Sequence, residues 1–122
     1  MDVVEFLRQR LDEEEVQAQL AQHCAPSPWK YVGGQKFANT AQILDGASAS
    51  LGECEDCGVT AEYDDSPAIH IACWHPARIL AEIAAKRAIL DGFDPIEHPT
   101  GPLYALVQPY ADHEDFDPAW RA

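Results

Sequence analysis

Positive charge is scarce in this chain: eight Lys and Arg stand against 21 Asp and Glu, a formal net charge of −13 over 122 residues. Phosphate backbones and anionic membrane faces repel such a surface, so ordinary DNA or RNA binding is disfavoured. Long apolar runs are missing too, and none suffices to cross a bilayer. The opening Met1-Asp2-Val3-Val4-Glu5 has neither the basic nor the apolar region of a secretory signal, so a cytoplasmic location is expected. Thiols stay reduced there, which makes the four cysteines candidates for metal ligation or free thiols rather than disulfides. A phosphate-binding loop is also lacking: Gly33-Gly34 has no third glycine, and no Lys-Ser or Lys-Thr pair follows it. No internal repeat is visible.

What is present suits a single domain over residues 1–122. A 47% hydrophobic content excludes a disordered polyelectrolyte and supports one sizeable core. Residues 2–23 read as a helix, with Asp2 and Glu5 spaced as a capping box. Val4, Leu7, Leu11 and Ala18 fall on one face, which Phe6, Val16 and Leu20 widen. Asp12-Glu13-Glu14-Glu15 reads as a solvated face, and Pro26 and Pro28 end the helix. Residues 29–63 read as a loop and sheet region with strand candidates at 29–32, 41–44 and 59–63. Ser66-Pro67 opens a short helix over 67–74, and His75-Pro76 a longer one over 76–90 that Gly92 stops. In the longer helix Ile79, Ile83 and Leu90 form the buried stripe, broadened by Leu80 and Ala84. The C-terminal segment, 100–122, begins with an apolar element over 100–107 whose helix or strand character periodicity does not decide. It ends in Tyr110, Phe116 and Trp120, expected to complete the core; the competing reading is an exposed patch for a partner. The fold class expected is α+β: an N-terminal helix, a small antiparallel sheet, a central helix pair and a docked C-terminal segment.

Most of the legible chemistry sits in mid-chain. Cys54 and Cys57 form a Cys-x2-Cys, His70 follows after twelve intervening residues, and Cys73 and His75 come just after it. Cys54, Cys57, His70 and Cys73 have the spacing of a zinc site, with His75 as the alternative fourth ligand. Gly58 suits the tight turn of a zinc knuckle, and a helix over 67–74 puts His70 and Cys73 on one face. Four protein ligands leave no open position, so zinc here would be structural. The competing reading leaves Cys54 and Cys57 free in an acidic loop, with His70 packed and His75 capping a helix. A redox role for the Cys-x2-Cys is disfavoured, because Glu53, Glu55 and Asp56 oppose the thiolate it would need. Hydrolytic chemistry has little support: Cys24 adjoins His23, but neighbours in a helix do not face one another. Asp64-Asp65, Asp112-His113-Glu114-Asp115 and Asp117 lack the spacing of a calcium loop, and turn and capping chemistry accounts for them.

Two stretches resemble a family of small, uncharacterised actinobacterial and actinophage proteins. His70-Ile71-Ala72, Pro76-Ala77-Arg78-Ile79-Leu80-Ala81-Glu82, Ala85-Lys86-Arg87 and Ile89-Leu90 are similar to its central helix. Pro109-Tyr110-Ala111-Asp112-His113, Asp115 and Trp120 match its closing motif, and Phe6-Leu7 with Arg10-Leu11-Asp12 its first helix. The resemblance implies kinship with a domain of unknown function and brings no activity with it. It also exposes two departures, since members typically carry an arginine-like residue at the place of Cys73 and an aspartate N-cap at the place of His75. Both changes run toward metal-ligand types beside a Cys-x2-Cys. His70 belongs to the family pattern without those cysteines, which implies a packing or capping role for it as well.

The function expected is a non-enzymatic cytoplasmic interaction module, encoded by a phage or accessory genome, that binds and modulates a host protein. One alternative is a zinc-stabilised acidic regulator of nucleic-acid transactions, including mimicry of nucleic acid. Another is a small metal-dependent enzyme using the acidic loops. Direct nucleic-acid and membrane partners are not expected.

Overall fold

The computed structural model describes residues 1–32, 42–47, 65–92 and 101–121. Helix α1 (Val3–Cys24) leads into an antiparallel pair, β1 (Lys30–Val32) and β2 (Gln42–Leu44). Helices α2 (Asp65–Cys73), α3 (Pro76–Asp91) and α4 (Gly101–Val107) follow, then 3-10 turns at Gln108–Tyr110 and Pro118–Trp120. This is the α+β arrangement expected. The strand candidate at 59–63 lies outside the described residues. Among the described residues no helix is long and apolar enough to cross a membrane.

The chain divides into two compact units, Met1–Glu14 with Ile83–Ala122, and Glu15–Glu82. In the first unit α1 starts on the capping box read from sequence. The Glu5 amide donates to Asp2 Oδ1 at 2.8 Å and the Asp2 amide to Glu5 Oε2 at 3.2 Å, so two orphan N–H groups are satisfied reciprocally. Val3, Phe6, Leu7 and Leu11 of α1 are buried, as are Ile83 and Leu90 of α3, Leu103 and Val107 of α4, and Phe116 and Trp120. The apolar element after residue 100 is therefore a helix, and of the C-terminal aromatics Phe116 and Trp120 are core while Tyr110 is half-buried. Gly92 ends α3 without the left-handed backbone that a glycine stop often uses.

The second unit is built around the strand pair, whose register places Lys30 opposite Leu44, Tyr31 opposite Ile43 and Val32 opposite Gln42. Ile43 packs with Ala68 and Ala72 of α2, and Trp29 and Ile71 close over them. The turn after α1, with a cis Ser27-Pro28 bond, is tied on three sides. The Ser27 amide and hydroxyl both donate to Gln22 Oε1, the Trp29 indole donates to the Ala25 carbonyl at 2.8 Å, and the Gly46 amide donates to the Pro26 carbonyl. Gly46 must be glycine, because a Cβ there would collide with the Ser27 carbonyl. Ser27 also caps α3: its Oγ accepts the Ala77 amide at 2.9 Å, satisfying a first-turn N–H that has no partner within the helix.

Three details differ from the sequence reading. α2 begins at Asp65, so Pro67 is its third residue rather than its first; the first turn needs no donor from it, and the proline is tolerated there. Val16 and Leu20, expected to widen the buried face of α1, are 53% and 57% exposed, and Val4 is only half-buried. Val3 and Arg10 are buried in their stead. On α3, Ala84 is exposed while Ile79 and Leu80 are half-buried.

Candidate functional site

Two clusters bring chemically capable side chains together, one in each unit. The first forms where the C-terminal segment meets the N-terminal half of α1. Phe6, 0% exposed, is ringed by the aromatic groups of that segment. Trp120 lies 5.2 Å from it between ring centroids, His113 5.5 Å, Tyr110 6.1 Å and Phe116 6.2 Å, most of them edge-to-face. That geometry sets the positive edge of one ring against the negative face of another.

One helical turn on, Arg10 is 5% exposed with its guanidinium 5.1 Å from the Phe6 ring centroid. Its Nη1 meets the His113 imidazole at Nδ1, 2.9 Å away, and at Nε2, while Nη2 donates to Glu13 Oε1 at 3.0 Å. A guanidinium only donates, and a neutral imidazole has a single accepting nitrogen, so only one of these two contacts is a hydrogen bond. The Asp115 amide also points at His113 Nδ1, at 3.0 Å. Arg10 Nε is buried without a partner among the described residues. Beside this group the Tyr110 hydroxyl donates to Glu14 Oε1 at 2.5 Å. Burial raises the Tyr110 phenol well above the ordinary tyrosine range, and the Glu14 hydrogen bond and charge raise it further against an opposing pull from Arg10.

The segment is closed on itself as well. Gln108 Nε2 donates to the Tyr104 and Trp120 carbonyls, and Asp117 Oδ1 caps the last 3-10 turn by accepting the Ala119 amide. An arginine, a histidine, a tyrosine and two glutamates within reach of one another resemble an acid–base site in composition. Here they bind one another: the phenol is held protonated, and the imidazole is occupied by a guanidinium and a backbone amide. The arrangement fastens the C-terminal segment to α1.

The second cluster holds the metal-ligand types predicted from spacing. His70 and Cys73 lie one turn apart on α2, both exposed, while Ala68 and Ala72 on the same helix are buried. Trp74 follows, with the His70 ring 6.2 Å from its own. Arg78 lies 4.2 Å over the Trp74 ring and donates to the Cys73 carbonyl at 3.1 Å, fixing the end of α2. His75 is half-buried at the junction, and its carbonyl accepts the Arg78 and Ile79 amides as the N-cap of α3. Its Nδ1 is buried without a partner among the described residues. His70, Cys73 and His75 do not converge: among the described residues no three His, Cys, Asp or Glu side chains form a group able to hold a metal. Cys54 and Cys57 lie outside the described residues.

Arg10 and His113 are the residues that local sequence reasoning misses. They are 103 positions apart, Arg10 sits on the face expected to be apolar, and His113 reads as part of an acidic turn. The signal that could have found them is the resemblance itself, since its first-helix and closing motifs contain Phe6, Arg10, Tyr110, His113 and Trp120.

The fold and the first cluster define a class: a small α+β protein whose C-terminal segment is locked by aromatic and polar contacts onto its first helix. The chain matches, over residues 1–122, the family described as a family of unknown function (DUF6221), and it belongs to that family. No curated protein matches it, and no solved structure does.

Proposed function

We propose that this chain is a non-enzymatic, cytoplasmic interaction protein of phage or accessory-genome origin, which binds and modulates a basic host protein. The observation that carries the reading is how the surplus of acid is distributed. Arg8 pairs with Asp91 at 2.8 Å, Arg10 with Glu13 at 3.0 Å, Arg78 with Glu82 at 3.5 Å and Arg87 with Asp12 at 2.8 Å. Among the described residues four arginines are thus matched by carboxylates of the same chain, while over the whole sequence acids outnumber bases by 13. An approaching partner meets mainly negative charge, which steers a positive surface toward it and repels nucleic acid. The absence of enzymatic activity is supported by the use of the Arg10, His113 and Tyr110 side chains to hold the C-terminal segment.

The test is a tagged pull-down from nuclease-treated actinobacterial lysate against a charge-matched acidic control, with bound proteins identified by mass spectrometry. Specific enrichment of one host protein is the expected result. Recovery of nothing beyond the control would sink the reading. The same surface charge favours a second reading, mimicry of nucleic acid; its mark would be a captured nucleic-acid-handling protein that added DNA or RNA displaces.

A further inference from the structure

We infer that the Arg10–His113 contact is a pH-sensitive latch: neutral His113 holds the C-terminal segment on α1, and its protonation releases that segment and uncovers Phe6. Both residues belong to one compact unit, Met1–Glu14 with Ile83–Ala122. Donors and acceptors carry the first argument. Arg10 Nη1 approaches both ring nitrogens, standing 2.9 Å from Nδ1, and the Asp115 amide lies 3.0 Å from Nδ1. Both polar groups aimed at the ring among the described residues are therefore donors. A neutral imidazole, in either tautomer, keeps one nitrogen free to accept from them. An imidazolium keeps none, because both of its nitrogens carry hydrogen. Protonation thus sets donor against donor at the contact that fastens the segment.

Charge acts in the same direction. Arg10 is 5% exposed and His113 half-buried, so a second cation would meet the first at hydrogen-bond distance with little water between them. Repulsion there is several times stronger than in bulk water. The neighbouring carboxylates of α1 are already engaged, Glu13 with Arg10 Nη2 and Glu14 with the Tyr110 hydroxyl. On the ring's own segment Asp112, Glu114, Asp115 and Asp117 are exposed, and solvent weakens their pull on an imidazolium. Arg121, also on that segment, donates to the Ala111 carbonyl. From α3, Arg87 and Asp91 reach α1 at Asp12 and Arg8, and α4 brings Tyr104 but no charged residue. The buried guanidinium therefore dominates. The docked state holds one proton fewer than the released state, so docking strengthens as pH rises through the histidine range and weakens as it falls. Release removes four rings from around Phe6, His113 itself among them.

The experiment compares urea denaturation of the full chain and of His113→Gln at pH about 7.5 and about 5.5, either side of the ordinary histidine range. Glutamine keeps an oxygen that can accept from Arg10 and has no proton to gain. Acidification relieves the acid surplus of both proteins alike, so the difference between them isolates His113. The unfolding constant of the parent should rise on acidification by about tenfold relative to that of the variant, within the one-proton limit of about tenfold per pH unit. Equal pH dependence in the two proteins overturns the proposal. Should the variant fail to fold, nuclear magnetic resonance of the unmodified chain decides. The Trp120 indole signal is expected to move with the same midpoint as the His113 ring. A His113 ring that titrates while Trp120 stays in place, or that does not titrate over this range, overturns the latch. No partner enters these measurements, so their outcome and that of the pull-down are independent.

Discussion

Phe6 occupies the centre of the aromatic cluster, and its full burial makes it the most consequential single side chain in the first unit. Phe6→Ala should destabilise the chain by about 3–5 kcal/mol, because it removes both apolar area and the ring against which the C-terminal aromatics pack. Chemical denaturation with tryptophan fluorescence checks this, since Trp120 lies beside Phe6. Tyr110 gives a pH-dependent counterpart. Folding raises its phenol above the unfolded value, so the stabilisation is fully present below the ordinary tyrosine range and is lost as pH rises through the folded value. In an alkaline ultraviolet titration, one of the four tyrosines should ionise later than the others, and Tyr110→Phe should abolish that late step while leaving the rest. Arg10 shows why the residue scale was hard to read from sequence. Burying a charge is costly unless it is paired and hydrogen-bonded; Glu13 pairs it from the same helix, but the imidazole that meets Nη1 is supplied from the far end of the chain.

At the scale of elements, local chemistry was more readily legible. The Asp2 and Glu5 capping box needs only a spacing of three, and it is present with both hydrogen bonds made. The strand pair was expected within a residue of where it lies, because Trp29, Tyr31, Val32 and Ile43 favour extended backbone and glycines bound them. The outward turn of Val16 and Leu20 was not legible. Periodicity places residues on a helix face, but burial requires another element to cover that face, and none of the described elements covers α1 there. The link from Ser27 to α3 was hidden for the same reason, a cap delivered from 50 residues away. Gly46 belongs with it: Gly46→Ala should destabilise the second unit by about 1–3 kcal/mol, since backbone rather than a flexible side chain stands where the methyl would go. Thermal unfolding followed by circular dichroism would register the loss, and an unchanged midpoint would contradict the close approach.

For the whole molecule the governing quantity is charge. A net −13 opposes compaction through self-repulsion, and salt screens it, with a Debye length of about 10 Å at 0.1 M. Raising ionic strength should therefore raise the chain's own melting temperature while weakening its capture of a basic partner. Calorimetry and pull-downs across a salt series read the two trends, and a partner retained undiminished at high salt would show that charge does not drive the interaction.

The amino-acid sequence by itself determined what depends on composition and short spacing: the acidic surplus, the α1 cap, the helix–sheet–helix succession, the family resemblance and the Cys-x2-Cys with its following His and Cys. Only the tertiary structure decided which face of α1 is covered, that α2 presents His70 and Cys73 outward, and that Arg10, His113, Tyr110 and Glu14 hold one another. Hydrogen bonds and burial between distant residues form only when the chain has converged, and nothing in a local period encodes which residues will meet.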